Sequence, residues 1–498
     1  MIESLVSILL DLESNARVKS IHLNFDSFDK GTLSIQVETT AELEREFLGR
    51  ITVEKKNISE LVLSLSLEPN QVSNLEVSSV LLKLKERCEF LSKKISVEYK
   101  KEKEFLNVGI SPLWRKDSSD TSSQEYIDFY KSLYFKEDSD DVLPWIYIRT
   151  YEPVEVKGIL FFEEFNPFKV IGEKGKISLL QNQVPVAPSL KDSLLPNFFE
   201  GAFGVLELQS NSEDLLLKDK VIEETKSELI LNLAHSLARL ERKNRQHYES
   251  IWKNISYFVK KGCLSNEEFL KVTRSSILYK NLNGELKTIS EFLEGTNKSE
   301  LQRIYYYDKT CTNREILEYA KAHQLDSIEI DSFLDPLFIQ FEETKITHDL
   351  YNLSFASLEE LIVAKGEVNQ EKNQECEKVI SEIVSPIQNE LAKKDMGILN
   401  YKIKTFDNNA PEMFVYINES GRRSFYNTRF STNVDSWPMD LTLVVNSEHS
   451  KIKRMLSLSE EERIDYMELL FSKATSHLWS NTPALETIRT KGFYGPHN

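Results

Sequence analysis

Ser111-Pro112-Leu113-Trp114-Arg115-Lys116, then Gln124-Glu125-Tyr126-Ile127-Asp128-Phe129-Tyr130-Lys131-Ser132-Leu133, is the stretch on which the reading of this chain turns. Trp114, Tyr126, Phe129 and Tyr130 are large aromatic anchors that would fix a helix on a sheet, each ring bringing a large buried area. Downstream, Trp145-Ile146-Tyr147-Ile148 and Val156-Lys157-Gly158-Ile159-Leu160-Phe161-Phe162 read as the strands of such a sheet. Pro185, Pro188 and Pro196 then punctuate what reads as a long irregular stretch. From Lys218 the spacing is helical: Val221, Leu229, Ile230, Leu233, Leu237 and Leu240 fall near one stripe. Residues 251–301 read as helical, with turns at Gly262, Asn283-Gly284 and Gly295.

Further on, Arg303-Ile304-Tyr305-Tyr306-Tyr307 reads as a buried strand, 313–323 as an amphipathic helix, 326–330 as a second strand and 336–341 as a helix start. That order suggests a parallel pair joined by a crossover. Residues 346–372 are polar and low in aromatics, a candidate linker. A third unit opens with a helix over 376–391, continues with strands over 401–406, 412–417 and 441–445, and ends in a helix over 459–480. In that last helix Ile464, Met467, Phe471, Ala474 and Leu478 repeat at helical spacing. Such a stripe packs either on its own domain or on a partner copy. Upstream, residues 5–15 read as helical, and 20–25, 33–37, 61–67 and 80–84 alternate like half-buried strands before helical spacing returns over 85–93.

The chain has 498 residues, 40% of them hydrophobic, which is ample for several cores. Its net charge of -17 favours solubility and repels a polyanion, so no nucleic-acid partner is expected. No apolar stretch is long enough to span a membrane. Residues 1–10 are apolar but carry Glu3 and lack a basic segment, a poor signal peptide, so a cytoplasmic protein is expected. Cys88, Cys263, Cys311 and Cys376 are far apart and form no CxxC pair; they read as reduced, packed thiols. The segment Gly172-Glu173-Lys174-Gly175-Lys176-Ile177-Ser178 only approaches a phosphate loop: its serine is displaced and its first glycine too close, so it reads as a turn. There is no HExxH or GxSxG, and the eight histidines are scattered; His235, inside a helix, reads as a satisfied core or surface residue.

The opening pattern, with its rare residues at fixed spacing, resembles the entry to the middle domain of the heat-shock protein 90 family, HtpG type. The resemblance continues in order through Gly158-Ile159-Leu160-Phe161-Phe162, Asn166-Pro167-Phe168, Leu195-Pro196-Asn197-Phe198-Phe199-Glu200-Gly201 and Ser212-Glu213-Asp214-Leu215-Leu216-Leu217. Ile304-Tyr305-Tyr306-Tyr307, Ile328-Glu329-Ile330-Asp331 and Leu443-Val444-Val445-Asn446-Ser447-Glu448-His449 extend it towards the C-terminus. It implies an α+β multidomain fold. Residues 1–105 would be a small, reduced ATPase-like α/β sandwich, and 106–345 a middle domain of αβα units joined by helices. Residues 346–372 would be the linker and 373–498 a C-terminal αβ dimerisation domain.

On this resemblance Asp11 takes the position of the general base that activates water and Asn15 that of the magnesium ligand. Their partners depart from the family. Where the family has an Asp-X-Gly-X-Gly turn, the chain reads Gln36-Val37-Glu38-Thr39-Thr40, and between 38 and 84 the only glycine is Gly49. A phosphate cradle needs glycine because backbone N–H groups must converge on the anion without side-chain clash. The position of the family's phosphate-reaching arginine falls on Val221, which cannot stabilise developing negative charge. Lys220 is adjacent, but an ammonium is not a planar fork.

The resemblance therefore implies a chaperone-like homodimer that binds unfolded or partner proteins without an ATP hydrolysis cycle and without a cofactor. Its alternatives are an Mg-ATP-dependent chaperone with an atypical site, and a non-enzymatic dimeric scaffold for one partner. Phe165, Phe168, Val170 and Ile171 form an apolar stretch in a predicted loop, which either contacts clients or covers a sheet edge. Trp437 and Met439 are a second candidate surface. The homodimer would form through Ile464, Met467, Phe471, Ala474 and Leu478.

Overall fold

The computed structural model describes the strands between residues 18 and 66 by their backbone. It then describes residues 77–476 except 92–94, 100–101, 108–111, 118–119, 135–142, 165–176, 182, 187, 200–201, 210–218, 295–301, 309–311, 331–333, 347–352, 369, 394–397, 408 and 419–439. The chain divides into two compact units, 1–258 and 259–498.

The first unit opens with β1 (Val18–Ser27), β2 (Thr32–Thr39), β3 (Ile51–Asn57) and β4 (Glu60–Ser66). Then come α1 (Val77–Cys88), β5 (Ile95–Tyr99) and β6 (Glu102–Phe105). They form one six-stranded sheet in the order β3-β4-β2-β1-β5-β6, in which only the β1–β5 pairing is parallel. Residues 80–84, expected as a strand, belong to α1. Val77, Val80, Leu81, Leu84 and Cys88 recur at helical spacing, and the alternation seen in a five-residue window is part of that longer period. Asn107 locks the exit from α1 to the sheet: its amide donates to Leu91 O at 2.7 Å and its carbonyl accepts from Ile95 N at 2.7 Å.

Next come α2 (Ser123–Tyr134), β7 (Trp145–Thr150), β8 (Glu155–Phe162), β9 (Ile177–Gln181), β10 (Val184–Pro185), α3 (Pro188–Leu194) and β11 (Ala202–Gln209). The strands make a five-stranded sheet, β10-β9-β11-β8-β7. The stretch expected to be irregular therefore supplies three strands. Pro185 falls in a two-residue edge strand and Pro188 at a helix start, where the missing N–H is not needed. Tyr126, Phe129, Tyr130 and Leu133 share one face of α2 and pack with Trp114 onto Ile159, Phe161, Leu180 and Val205. Trp114 lies 5.7 Å from Phe129, Tyr130 lies 5.0 Å from Phe161, and Tyr126 stacks on Trp145 at 5.0 Å. The aromatic anchor expected from the sequence is the centre of this core.

The helices α4 (Asp219–Lys243) and α5 (Arg245–Ser265) follow, and the division between the units falls within α5. Leu229, Ile230, Leu233 and Leu237 are the buried stripe of α4, as the spacing predicts, and His235 is exposed. Gly262 lies inside α5 rather than at a turn.

The second unit continues with α6 (Glu267–Thr273), a hairpin of β12 (Tyr279–Lys280) and β13 (Leu286–Lys287), and α7 (Ile289–Phe292). The hairpin corrects the helical reading of 251–301, with Asn283-Gly284 as its turn. Then come β14 (Gln302–Asp308), α8 (Arg314–Ala322), β15 (Ile328–Ile330), α9 (Asp335–Ile346), β16 (Leu353–Ser357) and α10 (Leu358–Lys365). The pairings of β14 with β15 and with β16 are both parallel. The expected strand–helix–strand order is present, and α8 starts at the Asn313 cap, whose side chain accepts from Glu315 N at 2.8 Å. Residues 353–365, read as part of a linker, are a strand and a helix. Phe355, Leu358, Ile362 and Val363 in this segment are buried, and four such side chains outweigh its polar average.

The last described elements are α11 (Gln370–Lys393), β17 (Leu399–Lys404), β18 (Met413–Ile417), β19 (Leu441–Asn446), α12 (Ser450–Leu456) and α13 (Glu460–Thr475). The sheet order is β17-β19-β18. Ser459 caps α13 in a reciprocal box with Glu462.

Candidate functional site

The opening motif does more than pack. Glu207 sits in β11 with a side chain only 1% exposed, and four donors converge on it. Trp114 Nε1 donates to Oε2 at 2.7 Å, Arg115 Nε donates to Oε2 at 2.7 Å and Arg115 Nη2 to Oε1 at 2.5 Å. The backbone N–H of Gln183 donates to Oε1 at 2.8 Å, from a residue held at φ 65° in the left-handed region. Arg115 grips the carboxylate with both ends of its fork, the strongest geometry for this pair. Tyr147 Oη donates to Trp114 O at 3.3 Å and Arg149 meets Asp117 at 2.7 Å, so β7 holds the same motif from the other side. The result is a rigid knot between the motif at 112–117 and the end of β11. Sequence reasoning missed Glu207. Its signal was a lone carboxylate within the apolar run Ala202-Phe203-Gly204-Val205-Leu206-Glu207-Leu208, which demands buried donors.

Beyond that strand, Val221 lies half-buried in the first turn of α4. Lys220 is exposed beside it and meets Glu224 at 3.7 Å, one turn along the same helix. A pair that open to solvent contributes little to stability. Asp11 and Asn15 lie outside the described residues, as do Phe165, Phe168, Val170, Ile171, Trp437, Met439 and Leu478.

In α13 the other residues of the expected stripe pack into the domain's own core. Met467, Phe471 and Ala474 are buried against Val415, Ile417, Leu443 and Val445, with Ile464 partly buried beside them. Met467 is 0% exposed, so a second copy could reach it only by displacing that packing. Cys88, Cys263 and Cys376 are buried free thiols, and burial pushes those of Cys263 and Cys376 up to about 12, far from the reactive thiolate. Cys311 lies outside the described residues. Among the described residues no helix is long and apolar enough to cross a membrane.

A buried carboxylate also organises the second unit. Glu412, just before β18, accepts from Lys451 Nζ and Lys473 Nζ, each at 2.9 Å, and Lys473 also meets Glu315 of α8 at 2.7 Å. Burial alone would raise the Glu412 carboxyl. The hydrogen bonds from Lys473 and Lys451 outweigh it and hold the group at about 2. A carboxyl depressed from the ordinary 4.5 on folding stabilises the native state fully above that value and loses its contribution as pH falls towards 2. After allowance for the partly exposed lysines, this amounts to about 1–2 kcal/mol. Glu412→Gln should therefore lower stability at pH 7 and flatten its acid dependence between pH ~4.5 and ~2. Urea unfolding at several pH values checks this, and equal losses at pH 7 and at pH ~2 would rule the linkage out.

A family model described as Hsp90 protein matches residues 16–407 of the chain. Among curated proteins, a chaperone protein HtpG of Bacteroides fragilis is 25% identical over 414 residues, covering 78% of this chain and 59% of that protein. The Bacteroides thetaiotaomicron chaperone protein HtpG is 24% identical over 429 residues (79% and 60%), and that of Porphyromonas gingivalis 22% over 366 residues (71% and 52%). The chain thus spans about three fifths of the length of the first of these relatives.

Proposed function

Because the chain belongs to the Hsp90 protein family, we propose that it works as an HtpG-type chaperone that binds unfolded or partner proteins as a homodimer, without an ATP hydrolysis cycle. The observation that carries the second half is Val221. On the resemblance, the place of the family's phosphate-reaching arginine falls on this residue of the first turn of α4, and a hydrocarbon there would offer no positive charge to a terminal phosphate. Lys220 is exposed and turned to Glu224, and an ammonium lacks the two-pronged grip of a guanidinium. The scarcity of glycine in the first 100 residues, with Gly31 and Gly49 alone, supports the same reading from the other side of a nucleotide. Binding of proteins then rests on the surfaces of the chain and on the two copies of a dimer, whose avidity replaces a closing cycle.

Two measurements on the full chain test this reading. Calorimetric titration with Mg-ATP and Mg-ADP should give no saturable heat, and the chain should suppress aggregation of several unrelated unfolded proteins at stoichiometric amounts. Saturable heat accompanied by an ATPase activity that Asp11→Asn abolishes would instead establish a nucleotide-driven chaperone. Failure to protect any unfolded protein would leave a scaffold for one partner.

A further inference from the structure

We propose that residues 353–368 clasp the parallel αβ unit (302–346) to the terminal unit (399–475), so that the two move and unfold as a single body. This inference is independent of the chaperone reading.

The clasp begins in one unit and ends in the other. Its strand β16 pairs in parallel with β14, from Gln302↔Leu353 to Tyr306↔Ser357. Its helix α10 buries Leu358, Ile362 and Val363 in a cluster drawn from both sides: Ile316, Tyr319 and Ala320 of α8, and Phe406, Phe414, Tyr416 and Val444 of the terminal unit. After α10 the chain presses onto β17. A Cβ on Gly366 would stand 2.6 and 2.8 Å from ring carbons of Phe406 and 3.1 Å from Lys404 Cβ, so any side chain there would have to push the Phe406 ring aside. Lys404 Nζ donates to Gly366 O at 3.1 Å, and Glu367 and Thr405 exchange both backbone hydrogen bonds, at 3.0 and 2.9 Å.

The terminal sheet is built for this arrangement. Along β18, Met413, Val415 and Ile417 face the core shared with α11, α12 and α13, while Phe414 and Tyr416 face the core shared with α8 and α10. All five are buried, so neither face of β18 is open to water. Two polar links cross the same junction: Lys473 between Glu315 and Glu412, and His323 Nε2 with Asp407 Oδ2 at 2.6 Å. A hinge requires few buried contacts and backbone groups open to water, and 353–368 has the opposite character. Partner-binding surfaces carried by the two units would then keep a fixed spacing.

Hydrogen exchange read by mass spectrometry along a urea series, on the full chain, tests this. Segments covering Gln302–Asp308 and those covering Met413–Ile417 and Leu441–Asn446 should lose protection at one urea midpoint with one slope. Phe414→Leu should lower protection in both sets by the same factor, about tenfold. Lys473→Gln should do the same more weakly, and serves if the first variant does not fold. The clasp is refuted if one set stays protected after the other has exchanged, or if either variant loosens β18 and β19 while β14 keeps its midpoint.

Discussion

Glu207→Ala is expected to cost the first unit about 3–5 kcal/mol, a large part of the stability of an ordinary domain. The loss is not that of one ion pair. The substitution strands the indole N–H of Trp114, which is 0% exposed, takes away the carboxylate that Arg115 grips, and removes the acceptor that holds Gln183 in a left-handed conformation. A stranded buried donor costs its desolvation without return. Glu207→Gln keeps one acceptor oxygen and should cost roughly half as much, since the fork of Arg115 then finds one good partner in place of two. Arg115→Ala alone should also destabilise, and the double variant with Glu207→Ala should lose clearly less than the sum of the single losses, because the two groups act as one unit. Urea unfolding followed by the near-ultraviolet signal of the tryptophans measures all four. Strict additivity, or a Glu207→Ala loss below ~1 kcal/mol, would show that the knot is ornamental.

Gly204→Ala should be as damaging, by a different route. Gly204 lies in β11 at φ +142°, opposite Leu160 of β8. A Cβ there would stand 2.0 Å from the carbonyl oxygen of Ile159, an atom fixed by the sheet itself. A flexible side chain could yield, but a backbone oxygen in the centre of a five-stranded sheet cannot do so without parting β8 from β11. The unfavourable φ adds to the clash, so the combined loss is about 4 kcal/mol. The expected readout is loss of soluble protein, or a urea midpoint lowered with part of the sheet signal missing. A variant within ~1 kcal/mol of the natural chain would mean that β8 and β11 are not paired as described.

Legibility followed the range of the physics involved. The helices α4, α8 and α13 were readable because the 3.6-residue period is written along each segment itself. The strands β7, β8, β14, β18 and β19 were readable from runs of branched and aromatic residues. Short edge pieces such as β10 and β12 were not, since two residues carry no period and exist only because a neighbouring strand needs a partner. In the candidate site, Glu207 was passed over. Its role depends on Trp114 and Arg115, ninety residues away, and no local pattern announces such a meeting.

Residue types and spacing alone were enough to read the chain as a multidomain α+β protein and to see that an aromatic helix anchors its central sheet. Both readings survive without coordinates. Folding in three dimensions was needed to show that Glu207 ties the opening motif to β11, that residues 353–365 are core rather than connector, and that Met467, Phe471 and Ala474 are packed within their own domain. An apolar or charged side chain declares what it needs, burial or a partner. Which of many distant groups supplies it is settled when the chain closes on itself.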